Sequence, residues 1–215
     1  MKKIFITGGS GYIGSRLIKK LLHNGNYEII ALCRPGSENK IAMGCNIVYG
    51  NALDATSFCE YVRGCDTLVH LVGVAHPSPA KKEEFINIDL KSFQQSVIVA
   101  KQNNVKKIVY LSVAAFPTNI MKDYQLARAK GEALLIENKI PGIVVRPWYV
   151  IGPGHWWPLF LKPFYFLARF SGKYREAAKK LDTVTIGQML NTLAHAISLD
   201  TDRIRYYEVE DIKRY

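Results

Sequence analysis

Acidic side chains are scarce in this sequence. Its 215 residues carry 18 Asp and Glu against 29 Lys and Arg, a formal net charge of +11, which excludes an acidic, solvating chain. The basic residues do not gather into a run. They fall in scattered pairs such as Lys2-Lys3, Lys19-Lys20, Lys106-Lys107 and Lys213-Arg214, so the surplus reads as a solvated basic surface and no nucleic-acid partner is expected. Cysteine is sparse as well. Cys33, Cys45, Cys59 and Cys65 form no C-x-x-C pair and have no His at ligand spacing, so no metal site is expected. A secretory leader is missing where Met1 runs almost directly into Ile4-Phe5-Ile6. Reduced thiols in a cytoplasmic protein are therefore expected. There is no internal repeat, low-complexity tract or clear linker, and 48% hydrophobic with 22% charged residues excludes disorder. One domain over residues 1–215 is expected, with a short substrate-side portion from about 152 to 215.

Short apolar runs alternate with helical patterns. Strands are expected at 4–6, 29–32, 47–49, 67–71, 108–111 and 143–145, and helices at about 11–23, 57–62, 82–103 and 124–138. The runs are apolar throughout instead of alternating, the pattern of strands covered on both faces. The sequence therefore predicts an α/β fold, a doubly wound parallel sheet of Rossmann type flanked by helices. A helix at about 187–198 and a strand at about 205–209 are expected to complete it. Between them, the aromatic and basic stretch 155–170 contains Pro158 and Pro163 and is too charged for a membrane span. It is a candidate pocket lip, oligomer face or peripheral membrane contact.

The first strand ends in Thr7-Gly8-Gly9-Ser10-Gly11-Tyr12-Ile13-Gly14, which holds G-x-G-x-x-G at Gly9, Gly11 and Gly14. Following a strand and opening a helix, this is the context of a dinucleotide-binding turn. Glycines permit the tight turn and the close approach of backbone to a pyrophosphate, and the helix N-terminus supplies free N–H groups. The second strand runs out at Cys33-Arg34. An acidic residue there would select the 2′-OH of NAD, whereas Arg34 favours the 2′-phosphate of NADP. NADP is the preferred cofactor and NAD the alternative.

These residues resemble the short-chain dehydrogenase/reductase superfamily, in its extended and atypical branch that includes the NAD-dependent epimerase/dehydratase-like proteins. Thr7–Gly14 matches that branch's T-G-G-x-G-x-x-G turn. Gly50-Asn51-Ala52-Leu53-Asp54 is similar to its G-D-L-x-D segment beside the adenine, with Asn51 in place of Asp. Val69-His70-Leu71-Val72-Gly73 looks like the fourth-strand turn that backs the cofactor, with Leu71, Val72 and Gly73 beside it. Asn87 resembles the Asn of V-N-x-x-G, and Arg146-Pro147 begins an R-P-x-x-V-x-G-P-G element that borders the nicotinamide. The resemblance implies a catalytic set of a strand-end Ser and a Tyr-x-x-x-Lys helix. Ser112 would polarise the substrate oxygen and Tyr124 would be the acid/base. Arg128 stands where the Lys would clamp the ribose, and keeps a positive charge one turn from Tyr124. Glu132 matches a Glu farther along that helix. Two functions follow: an NAD(P)-dependent oxidoreductase or epimerase acting on a small molecule, or a dinucleotide-binding redox sensor or accessory subunit without turnover. Loss of the Lys favours the second and the Ser112–Tyr124 pair the first. His70 and His155 have no visible carboxylate partner and read as structural.

Overall fold

Alternate residues of each strand enter different cores, which is why the strands read as unbroken apolar runs. Ile4 and Ile6 of the first strand join one buried cluster and Phe5 the other. Val69, Val109, Ile143 and Val145 follow the first pair, while Leu68, Ile108, Tyr110 and Val144 follow Phe5. Period-two geometry sends them to opposite faces of one sheet that is covered on both sides.

The computed structural model describes residues 1–117, 120–156, 159–160 and 175–215. The elements are β1 (Lys2–Thr7), α1 (Tyr12–His23), β2 (Tyr27–Cys33), β3 (Asn46–Tyr49), β4 (Thr67–His70), α2 (Lys82–Glu84), a π-helical turn (Phe85–Leu90) and α3 (Lys91–Gln102). Then come β5 (Lys107–Leu111), α4 (Lys122–Glu137), β6 (Gly142–Val145), β7 (Tyr149–Ile151), α5 (Arg175–Lys180), β8 (Thr183–Thr185), α6 (Ile186–Ser198), β9 (Ile204–Tyr207) and α7 (Val209–Ile212).

Seven strands form a sheet in the order β3-β2-β1-β4-β5-β6-β9, and each neighbouring pair is parallel. The expected doubly wound Rossmann-type fold is therefore present. β1 lies between β2 and β4, with Phe5 opposite Ile30 on one side and Leu68 on the other. The strand order reverses there, so the crevice beyond the carboxyl ends of β1 and β4 is the natural ligand site. Leu17, Ile18 and Leu21 of α1 pack on one face with Met189, Leu193 and Ile197 of α6. Phe93 and Val97 of α3 and Leu135 of α4 pack on the other with Phe58 and Val62.

Local signals explain several boundaries and correct others. Thr185 caps α6 by accepting from the N–H of Gln188, and the Gln188 side chain returns a bond to the Thr185 N–H, a reciprocal box. Buried Lys107 closes the other end of α6, donating to the carbonyls of Ala196 at 3.0 Å, Ile197 at 2.7 Å and Leu199. The helix expected at 57–62 is two short 3₁₀ turns, Ala55–Ser57 and Cys59–Val62. Ser57 and Asp54 engage the local backbone there and divert it from an α-helix. The helix expected at 82–103 is interrupted by the π turn, and the strand expected at 205–209 ends at Tyr207, with Val209 opening α7. The parallel pair β7–β8 was not expected. The 155–170 stretch lies outside the described residues except for His155, Trp156, Leu159 and Phe160, of which Trp156, Leu159 and Phe160 are exposed. Among the described residues no helix is long and apolar enough to cross a membrane.

Candidate functional site

The turn from β1 into α1 has the shape a pyrophosphate needs. Gly8 has φ +78°, a region that L side chains rarely enter. A Cβ on Gly8 would also meet the Leu71 carbonyl carbon at 2.7 Å, and one on Gly14 would strike the Gly8 carbonyl oxygen. The turn is closed by the Gly11 N–H on the Gly8 carbonyl at 3.0 Å. Helix α1 then starts without a side-chain cap and with no acidic residue in its first turn, leaving N–H groups free for an anion. Thr7 points inward instead, its hydroxyl 2.9 Å from Nδ1 of His70. Gly9 is buried against Ile18 and Ala31, and Ser10 is half-buried at the turn.

Arg34 is exposed just beyond the end of β2, and no acidic partner holds it among the described residues. Asn51 is tied locally: its Oδ1 accepts from the Leu53 N–H at 3.0 Å, forming the turn around half-buried Ala52. Leu71 and Val72 follow β4 at the switch point, where the Leu71 N–H bonds the Thr7 carbonyl at 3.0 Å. Gly73 makes room for Arg128, whose guanidinium a Cβ would strike.

A cavity of about 380 Å³ opens beside the α1 N-terminus. Its lining includes Tyr12 and Ile13 together with Ser112, Tyr124, Pro147 and Trp148. The end of β5 and the first turn of α4 therefore deliver Ser112 and Tyr124 to one space. At the mouth, the rings of His155 and His76 stack with centroids 5.3 Å apart, and Tyr12 meets His155 edge-on at 4.3 Å. Burial pushes the His155 pKa down, aided by His76 and Arg16. The buried Tyr12 hydroxyl has no partner among the described residues. No Asp, Glu, Lys or Arg lines the cavity among the described residues.

The other expected residues fall differently. Arg128 is 4% exposed and absent from the cavity wall. It is ion-paired with Asp89 and donates to the carbonyls of Leu111 at 3.0 Å and Val72 at 3.4 Å. Its guanidinium carbon lies 5.3 Å from the Tyr124 ring centre. The charge expected to clamp a ribose is thus engaged inside the protein, though still beside Tyr124. Asp89 is fully buried; burial raises its pKa, opposed by Arg128 and by the Val74 N–H. Asn87 does not join the site. It is exposed, on the π turn, at a separate shallow groove beside Lys82, Asp123 and Lys130. Ser112 lines the cavity, but its hydroxyl donates to Glu132 at 2.6 Å. His70 is fully buried, holding Thr7 and Ser96 at 2.9 Å each. Burial keeps its pKa well below the usual 6.5, with a further push from Arg128. It is structural, as its sequence context suggested.

Sequence reasoning missed Asp89 and the link between Ser112 and Glu132. The first had a signal: an Arg in the lysine position on a buried helix face requires a counter-charge. The cavity walls from His76, Met121 and Trp148 lay outside regular elements, and those from Tyr149 and Val150 on the unexpected short strand β7, whose direction periodicity does not give.

This arrangement defines a dinucleotide-binding Rossmann protein with a substrate-sized cavity at its switch point. The chain belongs to the NAD dependent epimerase/dehydratase family, whose model matches residues 4–162. It is 27% identical over 110 residues to a decarboxylating sterol-4-alpha-carboxylate 3-dehydrogenase of Dictyostelium discoideum, covering 50% of this chain and 33% of that protein. It is 25% identical over 171 residues to the 4-hydroxy-2-methyl-3-oxo-4-farnesyl-3,4-dihydroquinoline-1-oxide ketoreductase of Stigmatella aurantiaca, covering 70% of this chain and 51% of that one. The chain thus spans a third to a half of the length of these curated relatives. Among solved structures, the Bordetella bronchiseptica enzyme WbmH in complex with NAD+ aligns with a TM-score of 0.71 at 21% identity, covering 97% of this chain and 76% of that one. That likeness is one of fold.

Proposed function

We propose that the chain is an oxidoreductase that holds NADP, in preference to NAD, across Gly8–Gly14 and reduces or oxidises a small apolar compound at a carbon bearing a carbonyl or hydroxyl. The observation that carries this reading is the convergence of Tyr124 and Ser112 on one cavity that reaches Tyr12 and Ile13 of the α1 N-terminus. When bound, the nicotinamide supplies or accepts the hydride. The Gly-rich turn and the α1 N–H groups hold the pyrophosphate, and Arg34 meets the 2′-phosphate. Tyr124 has no hydrogen-bond partner among the described residues and is free to give or take the proton at the substrate oxygen. The aromatic and aliphatic walls exclude water and favour an apolar substrate over a nucleotide sugar. The named activities of the two curated relatives, a ketoreductase and a 3-dehydrogenase, support the same class of reaction.

One observation favours a sensor without turnover: the Arg128 charge is committed to Asp89, and the cavity wall lacks it. Titration of folded protein with NADPH and NADH, followed by nicotinamide fluorescence, tests the cofactor half of the proposal. NADPH is expected to bind more tightly, and Arg34→Ala to weaken it by roughly 10- to 100-fold, the worth of a charge-assisted hydrogen bond. Failure to bind either nucleotide would overturn the reading. Binding without any carbonyl reduction, or reduction that survives Tyr124→Phe at full rate, would move the chain to the sensor class.

A further inference from the structure

Residues 156–175 run without an Asp or Glu. Eight of those twenty residues are Trp, Tyr or Phe, against 11% of the whole chain, and Lys162, Arg169, Lys173 and Arg175 supply positive charge. The described residues within the stretch lie at the surface. Trp156 is 56% exposed, Leu159 38% and Phe160 80%, three large apolar side chains within five positions left in water. Single exposed hydrophobic residues are ordinary, but a group of them marks a contact. The group begins at the cavity, because His155, the residue before Trp156, belongs to its lining. Ile120, also exposed, stands before Met121, which lines the same cavity.

We propose that the chain docks peripherally on anionic phospholipid bilayers, with Trp156, Leu159 and Phe160 at the boundary of headgroups and acyl chains and the cations of 162–175 supplying the attraction to lipid phosphates. Trp and Tyr suit the headgroup level, with an apolar body and a polar edge, while Phe and Leu favour the acyl boundary. An acid-free cationic stretch complements an anionic headgroup layer. A second copy of the chain fits less well, since a two-fold contact would set the same cations against each other on molecules that each carry +11. A single-stranded nucleic acid also fits less well, because Leu159 and Ile120 offer no ring on which a base could stack. The contact adjoins the cavity through His155 and involves no turnover, so it serves an enzyme and a sensor alike.

Sedimentation of the full chain with sucrose-loaded vesicles, of phosphatidylcholine alone or with about 30% phosphatidylserine, reads the partition coefficient. Phosphatidylserine is expected to raise it at least about tenfold, and salt near 0.5 M to reverse most of that gain. Trp156→Ala/Phe160→Ala leaves the net charge unchanged and is expected to lower partition at least about tenfold. Arg169→Gln/Lys173→Gln is expected to lower it about 10- to 30-fold. Lys101→Gln/Lys139→Gln makes the same charge change on exposed side chains outside the stretch and is expected to lower it by no more than about threefold. Circular dichroism confirms the fold of each variant, and the two charge variants decide the matter if the apolar one does not fold. Absence of wild-type binding to phosphatidylserine vesicles, partition indifferent to the apolar pair, or equal losses in the two charge variants overturns the proposal. So does self-association, or binding of a single-stranded oligonucleotide, that Trp156→Ala/Phe160→Ala abolishes in a chain indifferent to vesicles.

Discussion

Replacing Asp89 with Ala while leaving Arg128 in place strands a guanidinium that is 4% exposed beside apolar and aromatic side chains. Removing one partner of a buried ion pair costs about 3–5 kcal/mol, because the remaining charge has neither solvent nor a counter-ion. The Val74 N–H also loses the Asp89 oxygen it reaches at 3.0 Å, about 1 kcal/mol more. For a chain of this size each kcal/mol lowers Tm by roughly 2–4 °C, so the single variant should melt about 8–24 °C below wild type. The double variant Asp89→Leu/Arg128→Met fills the same space without charge, and should recover most of the loss. Urea denaturation at neutral pH, followed by circular dichroism, completes a cycle with both single variants. Because Arg128 is not on the cavity wall, the double variant should bind NADPH within a few-fold of wild type. If Asp89→Ala loses less than about 1 kcal/mol, or the double variant is as unstable as the single, Arg128 is not enclosed as described. If the double variant folds but no longer binds NADPH, the Arg128 charge is acting on the ligand after all.

Gly14→Ala should abolish nucleotide binding, because the new methyl strikes the Gly8 carbonyl; NADPH fluorescence measured beside a folding control reads the effect, and retained binding would show that the turn relaxes. Histidine ionisation should make the fold acid-sensitive below pH 6.5. His70 has its pKa depressed in the folded state, so on acidification the unfolded chain binds the proton first. Stability is then lost by about 1.4 kcal/mol per pH unit below 6.5 until the folded pKa is reached. Comparing wild type with His70→Gln in urea at pH 7.5 and 5.5 isolates this contribution, and parallel losses in the two proteins would refute it. Thr185→Ala should cost about 1 kcal/mol through loss of the α6 cap, read as a lower urea midpoint; an unchanged midpoint would mean that β8 alone holds the helix start.

The sheet was legible because both of its faces are covered, so each strand from Ile4 to Val145 left a continuous apolar trace. The Gly-rich turn was legible because its geometry permits no side chain at Gly8 or Gly14. What escaped depended on partners distant in sequence. Asp89 follows Glu83 and Glu84 in a helix whose acids look solvated, and only the fold brings it to Arg128. Ser112 and Glu132 are 20 positions apart, and nothing in local pattern says which way the hydroxyl points. Asn87 matched a motif in sequence, yet it lies exposed on the π turn. Spacing identified residue types at the site; the direction of hydrogen bonds and the fate of charges required the tertiary structure.

The position of β9 has a consequence for synthesis. β6 pairs with β5 on one side and with β9 on the other, Gly142 opposite Ile204 and Val145 opposite Tyr207. On a ribosome adding about 5–20 residues per second, the roughly sixty residues between these strands take about 3–12 s to make. During that interval the nascent chain carries β6 as an open edge, with unpaired backbone groups available to any neighbouring strand. Closure of that edge must wait for residues 204–207, so the sheet spends its first seconds one strand short.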